Sequence, residues 1–394
     1  MGTFCVYSSS YIGKCFWTER RSRISSMFSY DDEYLAEKEN WNIDPALPLL
    51  SGAQPAKHSL PGAFLDASPD RWGKTLVRHR HLRENKEKGG KPRALNDVDY
   101  LLGVSDFSRQ GDLRFSLERG SEFLHPSEEC PKLVSLPKLL DAAHRYAAEQ
   151  DENAIDYLLD AGSASLGGAR PKAVVEDGQD LYIAKFPHRQ DEWDVMAWEW
   201  VSLCVAEDAG MCVPENRLLN IEGQNVLLVK RFDREAGKRV GYISAMTLLG
   251  LEDGEQADYF EIAEKLRDVS VAVIDDLHEL FRRVALFILL NNTDDHLRNH
   301  GLLRYGSGWR LSPVFDINPN PEKNAVRGTS IFGETHRDSA LVALKENAGA
   351  FSLTKESAGR ILAEVENAVN RCEKYAKDAG VQKKERELML SNIG

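Results

Sequence analysis

The sequence predicts an α+β protein, with strands in its first part and mainly helices in its last part. Short runs with alternating apolar residues and glycine turns recur up to about residue 235, and apolar residues at helical spacing dominate from about residue 240 onward. The 394 residues also exceed the roughly 250 to 300 at which one hydrophobic core stops growing. Two or three domains are therefore expected.

Composition restricts the class of protein. Hydrophobic residues make up 42% and charged residues 28% of the chain, which is the balance of a globular protein. The net charge of −12 predicts poor binding to a phosphate backbone, so we expect DNA contact only indirectly, through a partner. The longest apolar run, Val284 to Leu290, is far shorter than the roughly 18 to 20 residues of a membrane span, so no membrane contact is expected.

The start of the chain and its cysteines predict a cytoplasmic protein with reduced thiols. The opening MGTFCVYSSSYIGKCFW lacks a basic segment followed by an apolar stretch, so no secretory signal is expected. The six cysteines include no CxxC pair. This spacing argues against a zinc ribbon, thioredoxin-like chemistry and a disulfide framework.

Residues 1–125 are predicted to form a small mixed domain. Strand-like pieces run from Thr3 to Tyr7 and from Tyr11 to Trp17, and turn-rich stretches follow. The segment RHRHLRENKEKGGKPR, residues 78–93, is interpreted as a surface loop that is either solvated or contacts a partner. After this domain, DAAHRYAAEQDENAIDYLL, residues 141–159, predicts a single helix.

Residues 126–235 are predicted to hold two hairpins with a helix between them. A glycine-rich turn, GSASLGGARPK at residues 162–172, leads into the first hairpin, whose second strand carries Lys185. The helix that follows is expected to stop at Gly210, and the second hairpin turns near Gly223.

Residues 236–394 are predicted to be mainly helical. The segment DDLHELFRRVALFILLNN has one apolar face and predicts a core helix that delivers Asp294 to its C-terminal end. A third hairpin, GLLRYGSGWRL, then runs into Phe315 and Asp316, and helices rich in Ala, Glu and Lys complete the tail. The apolar face of the core helix consists of Leu277, Leu280, Phe281, Val284, Phe287 and Ile288.

The segment after the core helix carries the acids and amides expected of phosphoryl transfer. Asn299 follows Asp294 by five positions, the spacing at which a protein-kinase catalytic loop places its base and a magnesium-binding amide. Asp316 would bring a second carboxylate to the same cleft. Two alternatives stay open: these residues cap turns, or Asp294, Asp295 and His296 ligate a metal.

The glycine-rich turn and Lys185 predict a phosphate-binding element. Glycines let backbone N–H groups approach phosphates, and a lysine on the next strand would reach the α- and β-phosphates. Glu199, on the following helix, would hold Lys185 in place. The alternatives are a plain connecting loop, an edge lysine with its head in water and a solvated glutamate.

These residues resemble the HipA family, the serine/threonine-kinase toxins of bacterial toxin–antitoxin modules, over nearly the whole chain. The resemblance implies a bilobal protein-kinase-like fold with an N-terminal accessory subdomain (1–125), a β-containing N-lobe (126–235) and a helical C-lobe (236–394). The motifs that carry it are LPGAFLDASPDRWG, SLGGARPK, YIAKFP, VKRFDR, NNTDDHLRN and PVFDINP.

The resemblance also implies roles for single residues. Asp294 would be the catalytic base, Asn299 and Asp316 the Mg²⁺ ligands, and Ser165, or failing that Ser163, the site of inhibitory autophosphorylation. The residues expected to contact ATP are Ser165, Gly167, Gly168, Lys172, Lys185, Glu199, Val229, Lys230, Phe232 and His296.

Partners and targets follow from the same resemblance. It implies a helix-turn-helix antitoxin that holds operator DNA and a protein substrate such as an aminoacyl-tRNA synthetase. Two positions depart from the family pattern: Asp295 would add negative charge beside the metal site, and Lys230 would remove a side-chain contact near adenine. Two other functions remain open, a metal-dependent phosphoester hydrolase and a non-catalytic binding module or corepressor.

Overall fold

The structure, a computed structural model, describes residues 1–38, 40–90, 93–125, 130–149, 151–163 and 170–393. It divides into two compact units. The first unit comprises Met1–Gln190, Ile221–Gly223 and Asp233–Ile243, and the second comprises Asp191–Asn220, Gln224–Phe232 and Ser244–Gly394. The three domains expected from the sequence are a finer division and stay a prediction.

Most of the described strands lie before residue 245, as expected of an α+β chain. The described strands are β1 Gly2–Tyr7, β2 Tyr11–Arg20, β3 Arg23–Tyr30, β4 Ala53–Pro55, β5 Arg114–Ser116, β6 Lys172–Asp177, β7 Asp180–Lys185, β8 Asn216–Ile221, β9 Gln224–Lys230, β10 Arg234–Glu235, β11 Lys238–Arg239, β12 Tyr242–Ser244, β13 Gly301–Tyr305 and β14 Gly308–Leu311.

Helices occur along the whole length of the chain, and four of the described α-helices follow the last described strand. The described α-helices are α1 Asp32–Ala36, α2 Gly62–Asp66, α3 Arg71–Glu87, α4 Asp97–Leu102, α5 Leu136–Glu149, α6 Glu152–Asp160, α7 Val195–Asp208, α8 Ala245–Leu249, α9 Tyr259–Val269, α10 Val273–Leu289, α11 Arg337–Glu346, α12 Lys355–Val369, α13 Cys372–Asp378 and α14 Lys383–Leu390. Within the described ranges, no helix combines the length and the apolar character that a membrane crossing needs.

The first unit is built on an antiparallel sheet with the strand order β4-β3-β2-β1-β5. The first two predicted strands are confirmed, and β3 was missed because RISSMFSY places serines among its apolar residues. Four aromatic rings pack edge to face or tilted beneath the sheet and form its core. These rings belong to Phe4, Phe28, Phe64 and Phe115.

The predicted surface loop at residues 78–93 is wrong for its first ten residues, because α3 continues to Glu87. After Val77, arginines stand at positions where a helix pattern needs apolar residues, so the sequence shows no apolar face there. Arg80 lies 3.9 Å from Glu84 and Arg83 lies 3.7 Å from Glu87, the i,i+4 pairing that supports a helix. The buried face consists of Trp72, Gly73, Leu76 and Val77.

The single helix predicted for residues 141–159 is also wrong, since α5 ends at Glu149 and α6 begins at Glu152. Asp151 is the N-cap of α6, and its carboxylate accepts hydrogen bonds from the backbone N–H groups of Asn153 and Ala154. An aspartate that satisfies the first free N–H groups favours a new helix start over continuation.

The three predicted hairpins and the helix stop are confirmed. β6 and β7 pair antiparallel from Lys172 opposite Lys185 to Asp177 opposite Asp180. β8 and β9 are neighbouring strands joined by a turn at Gly223, where φ is +82°. In the second unit α7 ends before Gly210, whose φ of +77° suits the left-handed position that glycine adopts freely.

Helix α10 is the centre of the second unit. All six residues of its predicted apolar face are at most 1% exposed, so the prediction of a core helix is confirmed. It packs against α9, α11 and α12, which cover its sides. This packing fixes where the helix ends and therefore where the following loop begins.

Candidate functional site

The core helix α10 ends in a hydrogen-bonded turn, and the candidate catalytic loop begins directly after this turn. Asn291 has a φ of +53°, and its N–H donates to the carbonyl of Ile288. The N–H of Asn292 reaches back to the carbonyl of Phe287 at 2.9 Å. Arg327 donates to the carbonyls of Phe287, Ile288 and Asn292 at 3.0, 3.3 and 3.0 Å. These bonds satisfy the carbonyls that a helix end leaves unpaired.

A network of hydrogen bonds made by asparagine side chains, here called the amide lattice, joins the start of this loop to the segment after Asp316. Asn291 Nδ2 donates to the carbonyl of Asn320 at 2.7 Å, and Asn320 Nδ2 donates to Thr293 Oγ1 at 2.7 Å. The N–H of Asn318 donates to Asn292 Oδ1 at 3.4 Å. The two segments, residues 291–293 and 318–320, therefore lie side by side.

The loop presents Asp294 to solvent and turns Asn299 inward. Asp294 and His296 are exposed, whereas Asn299 is 6% exposed and ends a 3₁₀ turn, Leu297–Asn299. Asn299 Nδ2 donates to the backbone carbonyl of Asp294 at 3.2 Å. Because its amide nitrogen is used by the loop itself, Asn299 has its Oδ1 to offer to a cation.

Asp316 adopts a backbone conformation that is unusual for a residue with a side chain. Its φ is +59°, in the left-handed region, and such residues concentrate at functional sites. Asn318 Nδ2 donates to Asp316 Oδ1 at 3.3 Å and orients the carboxylate. Asp316 therefore lies two residues before the segment 318–320, which the amide lattice holds beside the start of the candidate catalytic loop.

Asp295, next to the exposed Asp294, lies in the protein interior. Its side chain is 1% exposed, and its Oδ1 lies 2.9 Å from His300 Nε2, which also lies 3.2 Å from the hydroxyl of Tyr259. Thr329 Oγ1 donates to the carbonyl of Asp295 at 2.9 Å. The carboxylate is thus buried in the protein interior as part of the loop's support, and its expected charge effect on a metal site stays a prediction.

The predicted adenine-contacting segment lies at the end of β9. Val229 is 5% exposed, and Lys230 Nζ lies 3.6 Å from the carboxylate of Glu215. The ring of Phe232 lies 5.5 Å from that of Phe315, centroid to centroid. This ring contact joins the predicted linker to the residue that precedes Asp316.

Glu199 lies on α7 with 2% of its surface exposed. A glutamate this buried requires a partner, because isolated charges are costly away from water. The solvated-glutamate alternative is therefore wrong. Its predicted pairing with Lys185 joins residues of the two different units and stays a prediction.

In the first unit, Lys172 and Lys185 are direct partners across the β6–β7 hairpin. Residues directly opposite each other in an antiparallel pair have side chains on the same face, with Cβ atoms about 4.5 to 5.5 Å apart. Lys172 is only 6% exposed, whereas Lys185 is half-buried. The two lysines therefore lie on the same face of the hairpin, and their role in binding the phosphates of ATP stays a prediction.

The glycine-rich turn lies largely outside the described residues. Ser165, Gly167 and Gly168, all predicted to contact ATP, belong to this gap, so their roles stay predictions. Ser163, just before it, is fully buried, and its Oγ has no hydrogen-bond partner in the described part of the chain. A hydroxyl in this position is not exposed to a phosphoryl donor, which leaves Ser165 as the stronger candidate.

The donor set suits Mg²⁺ better than a protein-enclosed metal. In the described ranges no group of three or more His, Cys, Asp or Glu side chains is placed to hold a metal ion. Asp295 is buried while Asp294 and His296 are exposed, so the alternative in which these three residues ligate a metal is contradicted. One carboxylate, on Asp316, and one amide oxygen, on Asn299, match a cation that keeps water and phosphate oxygens in its shell.

Several residues that build this site were not singled out from the sequence. The supporting amides, the buried His300 and the helix-capping Arg327 have no motif of their own. A signal was nevertheless present, because amides are unusually dense on both sides of the acids. The missed residues are Asn291, Asn292, Thr293, His300, Asn318, Asn320 and Arg327.

Comparison with known proteins identifies the family. Residues 164–372 match the model of the HipA-like C-terminal domain. A putative kinase of Haemophilus influenzae (strain ATCC 51907 / DSM 11121 / KW20 / Rd) is 26% identical over 186 residues, which are 40% of this chain and 54% of that protein. The chain thus spans about half the length of this curated relative.

A solved structure shares the fold. A chain of the Shewanella oneidensis MR-1 toxin–antitoxin complex of HipA, HipB and operator DNA aligns with a TM-score of 0.70 and 13% identity, over 99% of this chain and 94% of its own. The predicted α+β, HipA-like and kinase-like fold is confirmed by this match. Because the family model also covers more than half of the 394 residues, the chain belongs to the HipA-like C-terminal domain family.

Proposed function

We propose that the chain is a protein kinase that depends on ATP and Mg²⁺ and phosphorylates serine or threonine in a protein target. The curated relative is named a putative kinase, and the solved neighbour comes from a toxin–antitoxin complex. The first name supports a kinase, and the second supports a HipA-like toxin, whose proposed effect is to arrest growth.

The amide lattice is the observation that carries this proposal. It holds the loop with Asp294 and Asn299 beside the segment with Asp316 through bonds of 2.7 to 3.4 Å. These residue types follow each other in the order of a kinase site, with the base first, the amide five positions later and the second carboxylate after a hairpin. A purely structural set of turn caps has no need for an exposed Asp294 at its centre.

Each residue has one task in the reaction. The exposed Asp294 carboxylate accepts the proton of the substrate hydroxyl, whose oxygen forms a bond to the γ-phosphorus while the bond to the β-phosphate oxygen breaks and ADP leaves. Lys172 and Lys185 hold the phosphates, and Asn299 and Asp316 would hold Mg²⁺. When bound, the cation offsets negative charge on the phosphates. His296, Val229, Lys230 and Phe232 are assigned to the nucleotide.

Regulation and partners complete the proposal. We assign inhibitory autophosphorylation to Ser165, since a phosphate there would carry about −1.5 to −2 charges and draw the turn toward Arg170 and Lys172. The antitoxin is proposed to be a HipB-like helix-turn-helix protein that holds operator DNA, as in the complex of the solved neighbour. Aminoacyl-tRNA synthetases are the first class of target to test, and the proposed compartment is the cytoplasm.

The test of this proposal is Mg²⁺–ATP affinity, measured by titration calorimetry on the wild type and on Lys185→Met. We expect the variant to bind about 10 to 100 times more weakly, because a hydrogen bond to a charged group contributes roughly 1.5 to 3 kcal/mol. Lys238→Met, an exposed lysine of the same unit, is the matched control and should bind as the wild type does. Equal affinity of Lys185→Met and wild type would favour a hydrolase that does not use this lysine.

A further inference from the structure

We propose that the outer face of α3 is a contact surface for the phosphate backbone of duplex DNA. The proposal goes beyond the function above, in which DNA is reached only through the antitoxin. It does not depend on kinase activity. The surface, here called the basic stripe, consists of Arg71, Lys74, Arg78 and Lys86, with Leu82 between the last two.

The spacing of the basic stripe places its members on one side of the helix. Arg71, Lys74, Arg78, Leu82 and Lys86 follow each other at intervals of three or four residues, which return to the same face of an α-helix. Four of the five are exposed, and Lys74 is partly buried beside the ring of Tyr100. The stripe extends over about 22 Å at 1.5 Å per residue.

The acids of α3 lie on the opposite side and are engaged there. Glu84 lies 3.9 Å from Arg80 and 3.9 Å from Lys88, and Glu87 lies 3.7 Å from Arg83. Arg80 and Arg83, which lie outside the basic stripe, therefore form ion pairs with both glutamates of the helix. The side chains of Arg71, Arg78 and Lys86 form no ion pair within the described ranges, so their charges are available to an external anion.

The pKa values of neighbouring groups show the positive field of Arg78. Burial and then the charge of Arg78 lower the pKa of His79. Burial raises the pKa of Tyr146, and Arg78 acts against this rise by favouring the phenolate. Arg78 acts in the same direction on the pKa of Tyr100, where the carboxylates of Asp97 and Asp99 oppose it. The positive field of Arg78 is therefore partly compensated on the side of Tyr100.

A membrane or a protein is a poorer match for this surface than a phosphate backbone. Membrane-surface helices insert an apolar face, but the apolar face of α3 is buried, with Leu76 fully covered and Val77 4% exposed. Protein interfaces are depleted in lysine and need an apolar centre, whereas only Leu82 is apolar here, at 43% exposed. Phosphate contacts require spaced cations and little apolar area.

The local charge of α3 differs in sign from the net charge of the whole chain. Residues 71–88 hold seven Lys or Arg and two Glu, in a chain whose net charge is −12. The rest of the protein is negatively charged and repels DNA, whereas α3 is positively charged and attracts it. The protein would therefore approach DNA with the side that carries α3. Binding by the chain alone is therefore expected at low salt and in one orientation.

The test measures the affinity of the full-length protein for a duplex of arbitrary sequence between about 50 and 200 mM salt. The first variant combines Arg71→Gln, Lys74→Gln, Arg78→Gln and Lys86→Gln. The control variant removes the same amount of charge from exposed positions of α12 to α14. Its substitutions are Lys355→Gln, Arg360→Gln, Lys374→Gln and Lys384→Gln.

The proposal predicts a difference between the two variants. Each lost phosphate contact reduces the slope of log K against log salt by about 0.9, so the stripe variant should lose about 3.6 and the control should keep the wild-type slope. Equal losses in both variants would show that net charge alone matters and would overturn the proposal. It would also be overturned by wild-type protein that binds anionic vesicles but no duplex at about 50 mM salt. Circular dichroism of each variant verifies that it is folded.

Discussion

At the scale of single residues, Asn291 shows why the candidate site depends on amides. It takes the left-handed turn that ends α10, with a φ of +53°, and its Nδ2 donates to the carbonyls of Asn320 and Glu322 at 2.7 and 3.0 Å. Asparagine tolerates this backbone conformation better than most residues and also has the donor that the carbonyls need.

These two roles of Asn291 can be separated by two substitutions. Asn291→Ala loses both hydrogen bonds and retains a Cβ in the left-handed region, whereas Asn291→Gly loses the bonds and removes the Cβ that makes this conformation costly. We expect both variants to be destabilised and Ala to be worse than Gly by about 1 kcal/mol in the free energy of unfolding, measured in urea. Equal stability of the two variants would mean that the strained turn is unimportant.

Residue identity alone did not reveal the role of Asp295. The sequence placed two adjacent aspartates and a histidine at one point, which fits either a metal site or a crowded catalytic loop. Side-chain direction decides between them, since Asp295 is buried against His300 while Asp294 faces solvent. Direction depends on the dihedral angles of the loop, and these are set by tertiary hydrogen bonds that a single sequence does not contain.

At the scale of elements, the end of α10 is the structural requirement for the whole site. Arg327, 4% exposed, donates to three carbonyls at this end and comes from a distant part of the chain. Burial lowers its pKa to about 10, so it remains protonated at neutral pH. The arginine therefore works as a charged C-cap supplied by tertiary structure.

Replacing Arg327 by methionine should expose how much this cap contributes. The carbonyl of Asn292 would lose its donor, whereas the carbonyls of Phe287 and Ile288 keep the backbone N–H groups of Asn292 and Asn291. Leaving a buried polar group unpaired costs about 1 to 3 kcal/mol, so we expect a loss of about 1 to 3 kcal/mol in the free energy of unfolding. Lys323→Met, an exposed position of the same connecting segment, should change stability by less than about 0.5 kcal/mol. A similar small change in both variants would show that α10 ends correctly without the cap.

Elements with a simple pattern were predictable, and elements whose pattern is masked by charge were not. The apolar face of α10, the three hairpins and the stop at Gly210 follow from periodicity and turn chemistry. Helix α3 was mistaken for a loop because arginines stand where its pattern needs apolar residues. Asp151 was read as part of a helix because its capping role depends on a local backbone change.

At the scale of the whole molecule, the residues predicted for the site are divided between the two compact units. The in-register lysines belong to the first unit, and the acids and amides belong to the second. The order of these groups along the chain was readable in the sequence, and it carried the family resemblance that the comparisons confirm. Roles of the residues in the undescribed turn, including Ser165, remain predictions that only chemistry can test.

The most direct test of the account is intact-mass and peptide mass spectrometry after incubation with Mg²⁺–ATP, on the wild type and on Asp294→Asn. Asp294 is exposed, so the substitution should leave the fold intact and remove only the proton acceptor. The account predicts that the wild type gains one phosphoryl group within residues 162–172 and that Asp294→Asn gains none. No gain by the wild type, or an equal gain by both proteins, would contradict it.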